Sequence, residues 1–284
     1  MYTINVREFQ SLGNHTWRDF VGRAAKRLNG PGAKGCGDVS IKQSMSDWYQ
    51  TTSLKHAVDL AIKGWPEGAK HIADKLDSIP ATHEVLPDWN MDVAGVICNV
   101  PAYIAGEPEC MWHMSDCKRD ERRLSIVVSG VYSGMISAGA AQKYATAIAA
   151  VIRSLEAEGI NPAVYMINST TRRGNGGTGA YSISVREFGE PLDIARIAFA
   201  FHPSFLRRIQ FAWQEMTSEA IELGMGYNSY GSVGLLSKDV VHKLLGDIGY
   251  VALIPDLNKI YKQSADDMIR TVHESVNDTL RSMK

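Results

Sequence analysis

The sequence predicts an α/β fold: a mainly parallel open sheet flanked by helices, with a helical N-terminal lobe. Residues 1–90 form the lobe and 91–284 the α/β domain in this reading. Three observations predict it. Leu124-Ser125-Ile126-Val127-Val128 is a short apolar, β-branched run of the kind buried on both faces of a sheet. After a Gly/Ser break, Tyr144, Ile148, Val151, Ile152 and Leu155 recur at helical spacing and make one apolar stripe. Gly159 then supplies a stop, Pro162 bars continuation, and Ala163-Val164-Tyr165-Met166-Ile167 makes a second apolar run. A crossover of that length joins parallel strands.

The other elements follow from local signals. Residues 1 to 80 read as helical. Thr16 caps a helix with Trp17, Phe20, Val21, Ala24 and Leu28 on one face, and a Gly-rich loop follows from Gly30. Ser53 caps a helix carrying Leu54, Val58, Ala61 and Ile62, which stops at Gly64. Pro66 opens another, with Ala69, Ile72, Ala73 and Leu76 inward, so the pair forms a helical hairpin too small to fold alone. Asp92–Ile97 reads as a strand, and the charged run from Asp116 to Arg123 as a solvated connector. Residues 181–188 alternate at period two and make an antiparallel hairpin with 163–167 around a Gly-rich turn. Pro191 and Asp193 open a helix that His202-Pro203 interrupts, and Leu206, Ile209, Trp213 and Met216 resume it on one face. Ser237 caps the helix of Val241, Leu244 and Leu245, and Tyr250–Ile254 is the last core strand. Ser264 and Asp267 open a terminal helix with Met268, Val272 and Val276 inward.

Composition narrows the class. The 284 residues are 45% hydrophobic and 21% charged, enough for a substantial core, with 30 basic and 31 acidic residues. A net charge of −1 argues against a surface wholly given to nucleic acid or anionic lipid. No apolar run approaches the roughly 18 residues of a membrane span. The first residues lack a secretory signal, and four cysteines make no disulfide scaffold, so a reducing cytoplasm is expected.

Four groups of residues are candidates for chemistry. Arg172 and Arg173 lead into a Gly-rich turn that lacks the Gly-Lys-Ser/Thr of a phosphate loop and runs into a strand. It is an ordinary hairpin tip or a basic contact. Cys98, Cys110, His113 and Cys117 have the spacing C-x11-C-x2-H-x3-C, which offers four zinc-type ligands but no C-x2-C knuckle. The ordinary reading is buried thiols, so no cofactor is expected, with structural zinc as the minority alternative. Ser129-Gly130-Val131-Tyr132-Ser133-Gly134 follows the central strand, at the end where ligands gather in open α/β sheets, and Asp256 approaches the same rim. It matches no hydrolase elbow, and an enzyme built there is the least favoured reading. Finally, Trp89, Tyr103, Met111 and Trp112 are large apolar groups in irregular stretches, either interface anchors or satellite core.

The strand, Ser-rich turn, long helix and second strand over 122–256 resemble the opening of a von Willebrand factor A domain. In that family the turn reads Asp-x-Ser-x-Ser and binds a divalent metal used to grip partners. Here the three positions are Ser129, Val131 and Ser133; only the last is kept, so the resemblance implies a degenerate metal-adhesion site. A wider resemblance rests on Gly64-Trp65-Pro66-Glu67-Gly68, Val100–Met111, Pro191-Leu192-Asp193-Ile194 and His202–Ile209. These segments are similar to an uncharacterised family of tailed phages and some actinobacteria, which implies a phage origin and no known activity. The expectation is a non-catalytic module that docks on a phage or host protein, or on itself. The alternatives are a nucleic-acid-binding accessory protein using Arg172, Arg173, Arg207, Arg208, Tyr227 and Tyr230, and a virion component.

Overall fold

The computed structural model describes residues 9–29, 48–76, 89–114, 123–171, 178–223, 225, 232–234 and 236–282. Its elements, in order, are strand β1 (Phe9–Thr16), helices α1 (Trp17–Ala25), α2 (Leu54–Lys63) and α3 (Pro66–Leu76), strands β2 (Trp89–Asp92) and β3 (Ile97–Cys98), helix α4 (Val100–Ile104) and strand β4 (Met111–Met114). Then come β5 (Leu124–Ser129), α5 (Ala138–Ala157), β6 (Ala163–Thr171), β7 (Thr178–Arg186) and α6 (Ile194–Ala200). A π-helical segment (Phe205–Gln210) runs into α7 (Phe211–Glu215). The chain finishes with α8 (Ser218–Glu222), β8 (Ser232–Val233), α9 (Lys238–Leu245), β9 (Tyr250–Leu253), α10 (Leu257–Ile260) and α11 (Ala265–Ser282).

The main sheet has the order β1-β7-β6-β5-β9, with β8 added to the end of β6. β5 lies between β6 and β9 and is parallel to both; β1 is parallel to β7; β7 runs antiparallel to β6. The expected parallel pair 124–128 and 163–167 is present in register, Ser125 opposite Ala163 through Ser129 opposite Ile167. α5 links them, capped by Ser137 Oγ, which accepts from Ala140 N at 3.2 Å. Its apolar stripe is buried as expected, and Gly159, with φ of +78°, turns the chain out of the helix. No helix among the described residues is long and apolar enough to cross a membrane.

The two faces of the sheet are covered unequally. Leu124, Ile126 and Val128 of β5, Val164 and Met166 of β6, and Tyr181, Ile183 and Val185 of β7 share one large core with α1–α3, α5–α7 and α11. The opposite face, with Val127, Tyr165 and Ile167, packs against Val240, Val241 and Leu244 of α9.

Several expectations need correction. The N-terminal region is not all helix: β1 belongs to the main sheet. Its alternation is broken at Gly13 (φ +97°), where the pairing register shifts. The strand expected at 92–97 is two short strands about a turn, because Gly95 lets the backbone pass over the Trp112 carbonyl, and Val96 N donates to that oxygen at 2.8 Å. Leu28 and Ile62 lie outside the core, Leu28 because α1 has already given way to a 3-10 turn. After His202-Pro203 the chain takes a π turn, which widens the helix and brings all six residues from Phe205 to Gln210 into the interior.

Candidate functional site

Because β9 is the neighbour of β5, the four rim residues named from the sequence do meet at the carboxyl edge of the sheet. Ser129 Oγ closes a tight turn, donating to the Val131 carbonyl (3.2 Å) and accepting from Val131 N (3.4 Å). The residue that joins the two strand ends is Asn258. Its Oδ1 accepts from Ser133 N at 2.7 Å, and its Nδ2 donates to the Val131 carbonyl at 3.2 Å and to Asp256 Oδ1 at 2.6 Å. Asp256 Oδ1 also accepts from Asn258 N at 2.9 Å and caps α10. Burial raises the Asp256 carboxyl above its usual range, and the Asn258 hydrogen bonds oppose that shift. The rim is thus a closed amide-and-hydroxyl network with one carboxylate. Val131 turns a buried apolar side chain inward. Among the described residues no three His, Cys, Asp or Glu side chains converge as a metal site.

The interior flank of the same edge is built by the π segment. Gln210 Nε2 donates to the Gly130 carbonyl at 3.3 Å, while Gln210 Oε1 accepts from Asn168 Nδ2 (2.7 Å) and Tyr181 OH (3.1 Å). Arg207 and Arg208, expected as contacts for nucleic acid, are buried. Arg208 donates through Nε to Thr51 Oγ1 (2.9 Å) and stacks over Tyr49, 4.3 Å from the ring centre. Arg207 lies beneath the turn at 133–135, hydrogen-bonded to the Trp48 and Gly134 carbonyls. Neither lies on an open face where an extended polyanion would rest. Arg172, Arg173, Tyr227 and Tyr230 lie outside the described residues.

A second candidate is the small antiparallel sheet β2-β4-β3 with α4. Its residues belong to neither of the two core clusters. Asn99 caps α4, Cys98 pairs with Met111, and Asn99 N donates to the Cys110 carbonyl at 2.7 Å. Tyr103 is 67% exposed, Val96 76% and Ile104 78%, and Val93, Ile97 and Val100 are also more than half exposed. Met111 and Trp112 are half-buried beneath this platform, and Trp89 opens β2 opposite Met114. Of the four zinc-type positions, Cys98 is an exposed and Cys110 a half-buried free thiol. His113 lies on β4 with its side chain outside the described residues, as is the whole of Cys117. Among the functional residues named here, sequence reasoning missed Asn258, Trp48, and the exposed Val96, Ile97 and Ile104. The run Val93-Ala94-Gly95-Val96-Ile97 was legible as apolar, but its length fitted a buried strand.

A third feature is a cavity of about 300 Å³ at the opposite, amino edge of β9, among Lys238, His242, Asp247, Tyr250, Thr279 and Ser282. It lies at the other end of β9 from the rim.

No curated protein and no solved structure matches the chain. A family model described as a domain of unknown function, DUF7192, matches residues 4–275, nearly the whole sequence, so the chain belongs to the DUF7192 family.

Proposed function

We propose that this protein is a phage-encoded, non-catalytic interaction module, and that the β2-β4-β3 sheet with α4 is its docking platform for a phage or host protein. The observation that carries this reading is the run of large apolar side chains exposed together between Val93 and Ile104. Isolated apolar groups on a surface are ordinary; a contiguous patch of them marks a place that another surface covers. Tyr103 supplies the aromatic anchor common at such interfaces. The degenerate von Willebrand A-like reading rests on β5, its Ser-bearing turn and the α5 crossover to the parallel β6. In this reading the rim, tied by Asn258, serves to hold two strand ends together.

The test is a double variant, Val96→Glu with Tyr103→Glu, in the full chain. Both positions are exposed, so stability in urea should change by less than about 1 kcal/mol. Capture of the partner bound by the wild type in infected cells should fall at least tenfold. A variant that captures the same partner undiminished would remove the platform as the docking site. Sedimentation of the purified chain separates self-association, which would appear as a concentration-dependent dimer.

A further inference from the structure

The Arg207 guanidinium is a buried cation. Its residue is 3% exposed, and its guanidinium donates to neutral backbone oxygens, of Trp48 and Gly134. Among the described residues no carboxylate pairs with it; the rim carboxylate, Asp256, is engaged with Asn258. A buried charge is normally balanced by a counter-charge, because neutral dipoles recover only part of the lost hydration. Here the charge is presented at a particular place. The π turn aims Arg207 at the loop leaving the carboxyl end of β5, where open α/β sheets bind ligands.

The helix that follows the loop adds a second feature that favours a negative group. α5 begins immediately after the loop, is 20 residues long, and carries no acidic residue in its first turn, so its positive dipole end faces solvent uncompensated. Ser137 and Gly139 at that end are exposed, as are Ser133, Gly134 and Met135. Gly134 has no room for a side chain: a Cβ there would sit 2.2 Å from Trp48, whose ring lies 3.7 Å from the Arg207 guanidinium and is itself partly exposed. The loop is therefore pressed close over the arginine, with the Ser133 hydroxyl, the Gly134 backbone and the Met135 side chain outermost. Burial also lowers the affinity of Arg207 for its proton, as expected of a cation awaiting a partner.

We propose that the turn after β5 is an oxyanion site, in which a phosphate group, free or as a small monoester, is held between Arg207, the Ser133 hydroxyl and the amino end of α5. Trp48 shields the guanidinium from water and shifts aside as the anion enters. The site is independent of the docking platform.

Isothermal titration of the full chain with inorganic phosphate, and separately with glycerol phosphate, at ionic strength fixed with chloride, tests it. Saturable binding is expected for at least one; tighter binding of the ester identifies the natural ligand as a phosphorylated small molecule, and tighter binding of phosphate identifies the free ion. Arg207→Gln should weaken binding more than tenfold. Since that buried substitution could unfold the chain, Ser133→Asp, at an exposed position, is the second variant. It supplies a carboxylate in place of the ligand, so phosphate binding should be lost while the Tm without phosphate rises. Absence of saturable binding to both anions, or wild-type affinity in Ser133→Asp, would overturn the proposal.

Discussion

His202 shows how burial sets the chemistry of a single side chain. Its position before Pro203 reads as a structural hinge, and the structure packs its ring against Phe199 and the edge of Trp65, with Nδ1 accepting from Ser204 N at 3.2 Å. Burial first, then the positive field of Arg207 and His56, pushes its pKa down to about 4. The unfolded chain, with an ordinary histidine near 6.5, takes up the proton first as pH falls. Stability from this group is complete above about pH 6.5 and is lost progressively on the way to pH 4, by about 3 kcal/mol at most. Urea titrations at pH 7.5 and 4.5 should show that loss in the wild type and a smaller one in His202→Gln. Equal losses in the two would place the acid sensitivity elsewhere.

Among elements, the helical hairpin α2–α3 depends on one backbone position. Gly64 has φ of +83°, and a Cβ there would meet the Ala195 Cβ of α6 at 2.6 Å, so the turn of the hairpin is pressed against the α/β part. Gly64→Ala should therefore destabilise the fold by about 2–3 kcal/mol, combining left-handed strain with a contact that cannot relax locally. A shift under about 0.5 kcal/mol would mean the hairpin detaches freely. The hairpin itself was legible, because Ser53, Gly64 and Pro66 are local signals that act through the backbone. So were β5, α5 and β6, whose apolar periods match their burial. What escaped was non-local. β1 is a half-exposed edge strand of mixed polarity with a bulge, and only its pairing with β7 makes it a strand. The π turn at 205–210 reads as ordinary helix, and its two arginines as surface, until packing draws them under the β5 turn. At the rim, Ser129, Ser133 and Asp256 could be assigned to one sheet edge from strand order alone. Asn258, five residues after the strand that positions it, carries no motif and becomes visible only when its side chain bridges the two loops.

At the scale of the whole molecule, the chain divides its work between a body and an outlying platform. In the body, α1 is locked to the rest by Trp17, which stacks on Phe205 with ring centres 4.5 Å apart and donates to the Ala61 carbonyl at 2.9 Å. Phe20 joins Tyr181 and Trp213 in the same aromatic cluster, so the helices and the sheet share one core. Among the described residues, no platform side chain belongs to that core, yet the platform exposes apolar groups that a body of this kind would ordinarily bury. In the proposed function that surface serves contact, and the body serves to hold it. The most direct measurement is photo-crosslinking in cells that make the protein, from Tyr103→p-benzoylphenylalanine, with Arg270→p-benzoylphenylalanine, exposed on α11, as the control. The platform predicts a discrete covalent adduct from position 103 that is absent from position 270 and disappears when Val96→Glu is added. No adduct from position 103, or the same adducts from both positions, would contradict it.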